Sequence, residues 1–165
     1  MKNFYLITLF MCLSNLQAWA TGSSEKAVYD LIERVTPGYA SQYRLEIISS
    51  ENGNDIYEVD GDGQKIILRG NNAVSLATAF NWYLKYTCHA HVSWFGNQLE
   101  LPAKLPQPAH KERRIINGKF RVYMNYCTVS YTAAWWNWER WQQELDYMAM
   151  NAINMPLFSV GLDGG

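Results

Sequence analysis

The residues best suited to chemistry lie between Arg121 and Trp141. An apolar run there ends in Asn125-Tyr126-Cys127, and after a polar turn come four tryptophans within seven residues, Trp135, Trp136, Trp138 and Trp141. An asparagine side chain can both donate hydrogen bonds to a ligand and accept them from it. A tryptophan buries about 150–250 Å² and keeps an N–H donor, so it suits a buried wall or a platform for sugar rings. This stretch is therefore the first candidate for a binding site.

The elements around these residues predict one βαβ unit. Apolar runs predict strands at Lys119–Asn125 and Asn154–Val160, and helical spacing predicts a helix at Asn137–Ala152. Such a unit implies parallel strands and a right-handed crossover. Functional groups of α/β folds collect at the carboxyl ends of parallel strands, which is where Asn125 and Cys127 stand. From position alone, Asn125 is either a ligand contact or a turn residue that bonds its own backbone.

The phase of the predicted helix assigns a role to two of the tryptophans. An apolar stripe holds Trp138, Trp141, Leu145, Met148, Ala149 and Ala152, and Glu139, Arg140, Gln143 and Glu144 lie away from it. We therefore expect Trp138 and Trp141 to be core residues that dock the helix on its sheet. Trp135 and Trp136 precede the expected cap at Asn137, and packing is favoured for them over a sugar platform.

Composition excludes several classes of protein. The chain has 165 residues, is 48% hydrophobic and 18% charged, and carries a formal net charge of −1, which is ordinary for a globular protein. Because there is no basic field, we expect no nucleic-acid partner. No uninterrupted apolar run reaches the roughly 18–20 residues of a transmembrane helix, so no membrane span is expected either. The oligomeric state is not predicted.

The first twenty residues have the pattern of a secretory signal peptide. Lys2 supplies the positive end, Phe4–Leu13 is the apolar core, and Ala18-Trp19-Ala20 is a cleavage motif. We expect residues 1–20 to be removed and the protein to be periplasmic or extracellular; the alternative is a buried N-terminal helix or strand. Export permits disulfides, but the sequence cannot supply the Cα separation that would decide whether Cys88 and Cys127 pair.

Residues 21–110 are expected to form a small α/β domain of helices packed on a sheet. Apolar residues at helical spacing predict a helix that ends at Thr36-Pro37-Gly38, and a second helix capped by Gly70-Asn71-Asn72. Strand-like runs lie at Tyr43–Ile48, Asp55–Val59, Lys65–Leu68 and Val92–Leu99. The proline-rich Leu101–His110 and the charged Lys111–Arg114 are interpreted as a stiff, solvated connector. Residues 111–165 would then begin the second domain.

The remaining polar groups predict neither a metal nor a cofactor. His89 and His91 would share one face of a strand beside Cys88, but a zinc site generally needs three or four protein ligands. Gly61-Asp62-Gly63 and Gly164-Gly165 lack the spacing of a phosphate-binding loop. Ordinary polar and turn residues are therefore the favoured interpretation.

Arg121–Thr128 and Trp135–Trp141 resemble the start of the catalytic barrel of the alpha-N-acetylglucosaminidases, glycoside hydrolase family 89. Further similar segments are Glu144–Asn151 and Ile153–Pro156 in the barrel, and Leu68-Arg69-Gly70, His91–Trp94 and Gly96–Leu99 in the N-terminal domain. The resemblance implies a small α/β domain, a (β/α)8 TIM barrel and a helical C-terminal domain. It further implies retaining hydrolysis of terminal alpha-linked N-acetylglucosamine from glycans.

The resemblance also assigns roles to residues. It implies that Asn125 hydrogen-bonds the hydroxyls of the terminal sugar and that Cys127 forms part of the pocket wall. Retaining hydrolysis needs two carboxylates about 5–5.5 Å apart, and the family's two glutamates belong to later strands, past Leu162-Asp163-Gly164-Gly165. We therefore expect this chain to be an N-terminal portion that is inactive alone. The alternative function is a non-catalytic carbohydrate-binding module with exposed tryptophans.

Overall fold

The protein is described by a computed structural model that covers residues 24–125, 127–128 and 131–157. The predicted signal peptide lies outside these residues, as does Asp163. The helices are α1 (24–35), α2 (Ala73–Tyr86) and α3 (Trp138–Met150), and a 3-10 turn spans Ala40–Gln42. The strands are β1 (Tyr43–Ile47), β2 (Asp55–Gly61), β3 (Ile66–Gly70), β4 (Glu112–Ile116), β5 (Val122–Tyr123) and β6 (Met155–Pro156). None of the helices within the described ranges is long and apolar enough to cross a membrane.

The first four strands form one sheet in the order β1-β3-β2-β4. β1 and β3 run parallel, whereas β2 is antiparallel to both β3 and β4. The core between the sheet and helices α1 and α2 includes Ile32, Tyr43, Leu68, Phe80 and Tyr83, all nearly or fully buried. The predicted small α/β layer is therefore confirmed.

The start of α2 comes very close to the end of β3. Asn72 is the N-cap, and its Oδ1 accepts a hydrogen bond from the backbone N–H of Ser75 at 2.9 Å, which satisfies one unpaired donor of the first turn. A Cβ atom on Gly70 would lie 2.6 Å from the backbone nitrogen of Leu76. A glycine is therefore needed where the strand passes the helix, and the predicted cap at Gly70-Asn71-Asn72 is confirmed.

The interpretation of Lys111–Arg114 as a connector is wrong, although Lys111, Arg113 and Arg114 are exposed as expected. Glu112–Ile116 is the fourth strand of the sheet and pairs with β2 along its length. Its charges are explained by Glu58, which is buried on β2 and forms ion pairs with Lys111 at 2.7 Å and with Arg113. A buried carboxylate needs such partners, so a charged segment can be a strand. The division of the chain at residue 110 stays a prediction.

Two further expectations for this domain are corrected. Val92–Leu99 is not a strand but a loop, closed by paired backbone hydrogen bonds of 2.9 Å between His91 and Gln98. The proline-rich segment is not merely a stiff, solvated connector, because Leu105 is 3% exposed and belongs to the core. The hydroxyl of Tyr83 also donates to the carbonyl of Pro106 at 2.8 Å. Apolar alternation predicted a strand and proline content predicted a connector, but both are local signals. Neither indicates whether a segment pairs with a strand or packs against the core.

The β5–α3–β6 segment confirms the predicted parallel βαβ unit, with shorter strands than expected. Val122 pairs with Met155 and Tyr123 with Pro156. The predicted strand residues from Phe158 onward lie outside the described ranges. Asn137 caps α3 as expected, since its Oδ1 accepts from the backbone N–H of Arg140 at 3.0 Å.

The expected orientation of α3 is wrong for three residues. Trp138 and Leu145, expected on the apolar stripe, are 64% and 36% exposed, and Glu144, expected on the solvent side, is 1% exposed. The helix packs against α2 through its last turn, where Asn81 Nδ2 donates to the carbonyl of Met150 at 2.8 Å. The face of α3 that packs against α2 makes polar as well as apolar contacts. The pattern of apolar residues alone therefore did not identify that face. Trp141 is half-buried and packs edge-on against Trp136, with ring centroids 4.9 Å apart.

Candidate functional site

Asn125 organises the turn that follows β5. Its Oδ1 accepts hydrogen bonds from the backbone N–H of Cys127 at 2.9 Å and from that of Thr128 at 3.1 Å. The preceding residue, Met124, has φ +69°, a left-handed conformation that is costly for a residue with a side chain. The turn-residue interpretation is thus correct for the side-chain oxygen of Asn125. The Nδ2 group of Asn125 donates to none of the described residues and is therefore able to contact a ligand.

Cys127 lies in the same turn. It is half-buried, and both it and Cys88 are free thiols. The structure therefore brings the two predicted site residues together through a direct hydrogen bond. Their role in sugar binding stays a prediction.

The start of β5 is held by the side chain of Arg121. Its Nη2 donates to Oδ2 of Asp55 at 2.6 Å, Nη1 donates to the carbonyl of Gly118 at 2.7 Å, and Nε donates to the carbonyl of Ala152. Asp55 begins β2, so this guanidinium joins the small sheet to both strands of the βαβ unit. Burial favours a higher pKa for Asp55, but hydrogen bonds from Asn71 and Arg121 outweigh it and hold the pKa below its usual value.

A cluster of aromatic and charged side chains lies between α3 and the loop that contains Trp94. The guanidinium of Arg140 stands 4.0 Å from the ring centroid of Trp136 and 5.4 Å from that of Trp94, both within the range of cation–π attraction. The same guanidinium donates to Oε2 of Glu144 at 2.8 Å. Trp94 belongs to the loop between His91 and Gln98, so the cluster connects the small domain to α3.

Glu144 and Tyr123 meet in this cluster. Oε1 of Glu144 is buried and has no hydrogen-bond partner among the described residues. Burial, followed by the negative charge of Glu144, raises the pKa of Tyr123 to about 12. This shift keeps the Tyr123 hydroxyl neutral over the pH range in which an ordinary tyrosine, with a pKa of about 10, begins to ionise.

A cavity of about 420 Å³ opens between α1, the loop around Trp94 and α3. Four of the five charged side chains that line it pair with one another, because Arg34 binds Asp146 through bonds of 2.7 and 2.8 Å and Arg140 binds Glu144. Neither Asn125 nor Cys127 lines it. Across the described ranges, no group of three His, Cys, Asp or Glu side chains could hold a metal ion.

Sequence reasoning missed the residues that support the strand. Arg140 and Glu144 are four residues apart on a helix, a spacing that predicts an ion pair but not its burial. Arg121 and Asp55 are 66 residues apart, and nothing in the sequence links them. Only the folded chain brings such partners together.

Two family models match the chain. The alpha-N-acetylglucosaminidase (NAGLU) N-terminal domain matches residues 26–107, and the alpha-N-acetylglucosaminidase (NAGLU) tim-barrel domain matches residues 121–164. Human alpha-N-acetylglucosaminidase is 36% identical over 136 residues, which cover 79% of this chain and 18% of that protein.

Solved structures of a family 89 glycoside hydrolase from Clostridium perfringens are also similar. Its complexes with 2-acetamido-1,2-dideoxynojirmycin and with PUGNAc match with a TM-score of 0.84 and 31% identity, over 92% of this chain and 18% of that one. A variant of that protein in which two glutamates are replaced by glutamine, bound to its substrate GlcNAc-alpha-1,4-galactose, matches equally well. This chain thus spans 18% of the length of these relatives.

Proposed function

The chain belongs to the alpha-N-acetylglucosaminidase family, glycoside hydrolase family 89, and we propose that it serves the hydrolysis of terminal alpha-linked N-acetylglucosamine from glycans. It comprises a small α/β domain followed by the start of a TIM barrel. In this proposal β5 is the first barrel strand, and the turn after it supplies part of the pocket for the terminal sugar.

One observation about the site supports this proposal most directly. The Oδ1 atom of Asn125 is engaged by the turn, while its Nδ2 group donates to none of the described residues and the side chain is exposed at the end of the strand. The amide can therefore donate to a sugar hydroxyl without losing the bonds that shape the turn. Cys127 would form a wall beside it.

The two carboxylates of a retaining mechanism are assigned elsewhere. They stand about 5–5.5 Å apart, one acting as nucleophile and the other as acid and base. Glu144 and Asp146 are poor candidates, because each is paired with an arginine and lines a cavity that excludes Asn125. We infer that the described residues bind and orient the sugar, and that both carboxylates lie outside them.

Two substitutions of Asn125 separate ligand binding from turn formation. Asn125→Asp keeps the oxygen that accepts from Cys127 and Thr128 but removes the amide donor, whereas Asn125→Ala removes both. We expect Asn125→Asp to weaken binding of N-acetylglucosamine roughly tenfold, about the value of one hydrogen bond, with the melting temperature unchanged. Calorimetric titration of the intact protein with N-acetylglucosamine measures this. Unchanged affinity in Asn125→Asp would leave Asn125 a turn residue only.

The carbohydrate-binding module remains a second candidate because of the exposed tryptophans. Trp135, for which packing was favoured, is 94% exposed, and Trp138, expected in the core, is 64% exposed. In the same titration, a module would lose glycan binding in Trp135→Ala or Trp138→Ala and retain it in Asn125→Asp.

A further inference from the structure

Within the described ranges, the strand that leads to Asn125 has few backbone hydrogen bonds of its own. β5 and β6 pair over two residues each, and Pro156 has no N–H to donate. The backbone bonds between them include those from Met155 to the carbonyl of Arg121 at 3.2 Å and from Leu157 to the carbonyl of Tyr123 at 2.9 Å. So short a ladder determines the position of a strand end only weakly.

Side chains of the small domain supply the missing support. Arg121 lies four residues before Asn125 in the sequence, directly before β5, and its side chain is 12% exposed. Its partner Asp55 is itself held, because Oδ1 of Asp55 accepts from Asn71 Nδ2 at 2.9 Å and from Asn72 Nδ2 at 2.8 Å. Asn72 is in turn fixed as the cap of α2. The strand is thereby tied to a rigid corner of the sheet domain.

We propose that Arg121, held by Asp55 of the small domain, is a positioning residue that sets the place and register of Asn125. The inference rests on the proposed function, since it concerns the sugar-contacting turn. The small domain is then part of the binding machinery and not only an attached module.

The geometry of the guanidinium explains why arginine is needed. Its donors reach Asp55, Gly118 and Ala152, which lie on β2, in the turn before β5 and in the turn before β6. An arginine fork holds several acceptors in fixed directions, whereas a lysine ammonium is a flexible point charge. The guanidinium therefore fixes both strands of the βαβ unit relative to Asp55 on the small sheet.

The chain offers a matched control. Arg34 on α1 and Asp146 on α3 also join the small domain to the βαβ unit, through bonds of 2.7 and 2.8 Å. This pair holds helix α3 and not the strand that precedes Asn125. Asp55→Asn and Asp146→Asn make the same chemical change at the two contacts, and Arg121→Lys is a milder variant should Asp55→Asn fold poorly.

Amide exchange reports on the turn without any ligand. The N–H groups of Cys127 and Thr128 donate to Asn125 and are protected while the turn is in place, and Leu68 in the core serves as the reference for global opening. We expect Asp55→Asn and Arg121→Lys to speed exchange of Cys127 and Thr128 at least tenfold relative to Leu68. Asp146→Asn should change that ratio less than twofold. Equal effects of the two aspartate substitutions, or none, would overturn the inference.

Titration with N-acetylglucosamine then tests the consequence for binding. Asp55→Asn should weaken the affinity for the sugar, and Asp146→Asn should leave it unchanged. Faster exchange with unchanged affinity would also overturn the positioning role. Failure of the proposed function looks different, because unaltered protein would not bind the sugar although its exchange still responded to Asp55→Asn.

Discussion

At the scale of single residues, polar side chains have the roles hardest to assign in advance. Asn125 was open to two interpretations, and the structure shows that its oxygen builds the turn while its amide donor bonds no described residue. Glu144 was expected in solvent, yet it is 1% exposed and bound to Arg140. In both cases the bonding partners of the side chain, and not its type, determine what it does.

Replacing Glu144 should therefore be costly. Glu144→Ala removes the partner of Arg140 within a buried cluster, and we expect the free energy of unfolding to fall by about 1–3 kcal/mol. The adjacent Gln143 is exposed on the same helix, and Gln143→Ala should change stability by less than about 0.5 kcal/mol. Urea unfolding followed by tryptophan fluorescence measures both. A cost for Glu144→Ala no larger than the control's would mean that the ion pair contributes little.

At the scale of elements, local signals located the helices and the early strands well. The cap at Asn72 and the apolar spacing of α2 predicted that helix, because capping and periodicity act within a few residues. β4 was missed because its charges belong to contacts with Glu58 on another strand. The approach of β3 to α2 is likewise a contact between elements, and it makes a specific prediction.

We expect Gly70→Ala to destabilise the small domain by about 1–3 kcal/mol or more, as overpacking does. The new Cβ would lie 2.6 Å from the backbone nitrogen of Leu76, and backbone atoms cannot move aside easily. At Gly61 a Cβ would meet mainly the side-chain tip of Gln107, which can swing away. Thermal unfolding of the two alanine variants should show the larger loss for Gly70→Ala. A larger loss for Gly61→Ala would contradict this account of the strand–helix contact.

At the scale of the whole molecule, two Arg–Asp pairs and the contact of α2 with α3 join the small domain to the βαβ unit. The two parts differ in internal support. Leu68 is fully buried in a strand that pairs on both sides, whereas β5 and β6 pair with each other over two residues. Large apolar side chains of the βαβ unit, including Val122 and Met155, remain exposed in the described region.

Native-state hydrogen exchange should reveal this difference. We expect the amides of Met155 and Leu157, which bond to β5, to exchange at least tenfold faster than the amide of Leu68. The reason is that the βαβ unit can open locally while the small core stays folded. Equal protection of all three amides would show instead that the two parts unfold as one cooperative unit.

The sequence by itself determined the family, the small α/β layer, the parallel βαβ unit and the position of Asn125 and Cys127 in the turn after a strand. These features depend on local periodicity, caps and motif residues, which are readable within a short window. Only the tertiary structure decided which face of α3 is buried, that Glu112–Ile116 is a strand, and that Arg121 binds Asp55. The physical reason is that a charged side chain can be buried when a partner is present, and that partner comes from a distant part of the chain.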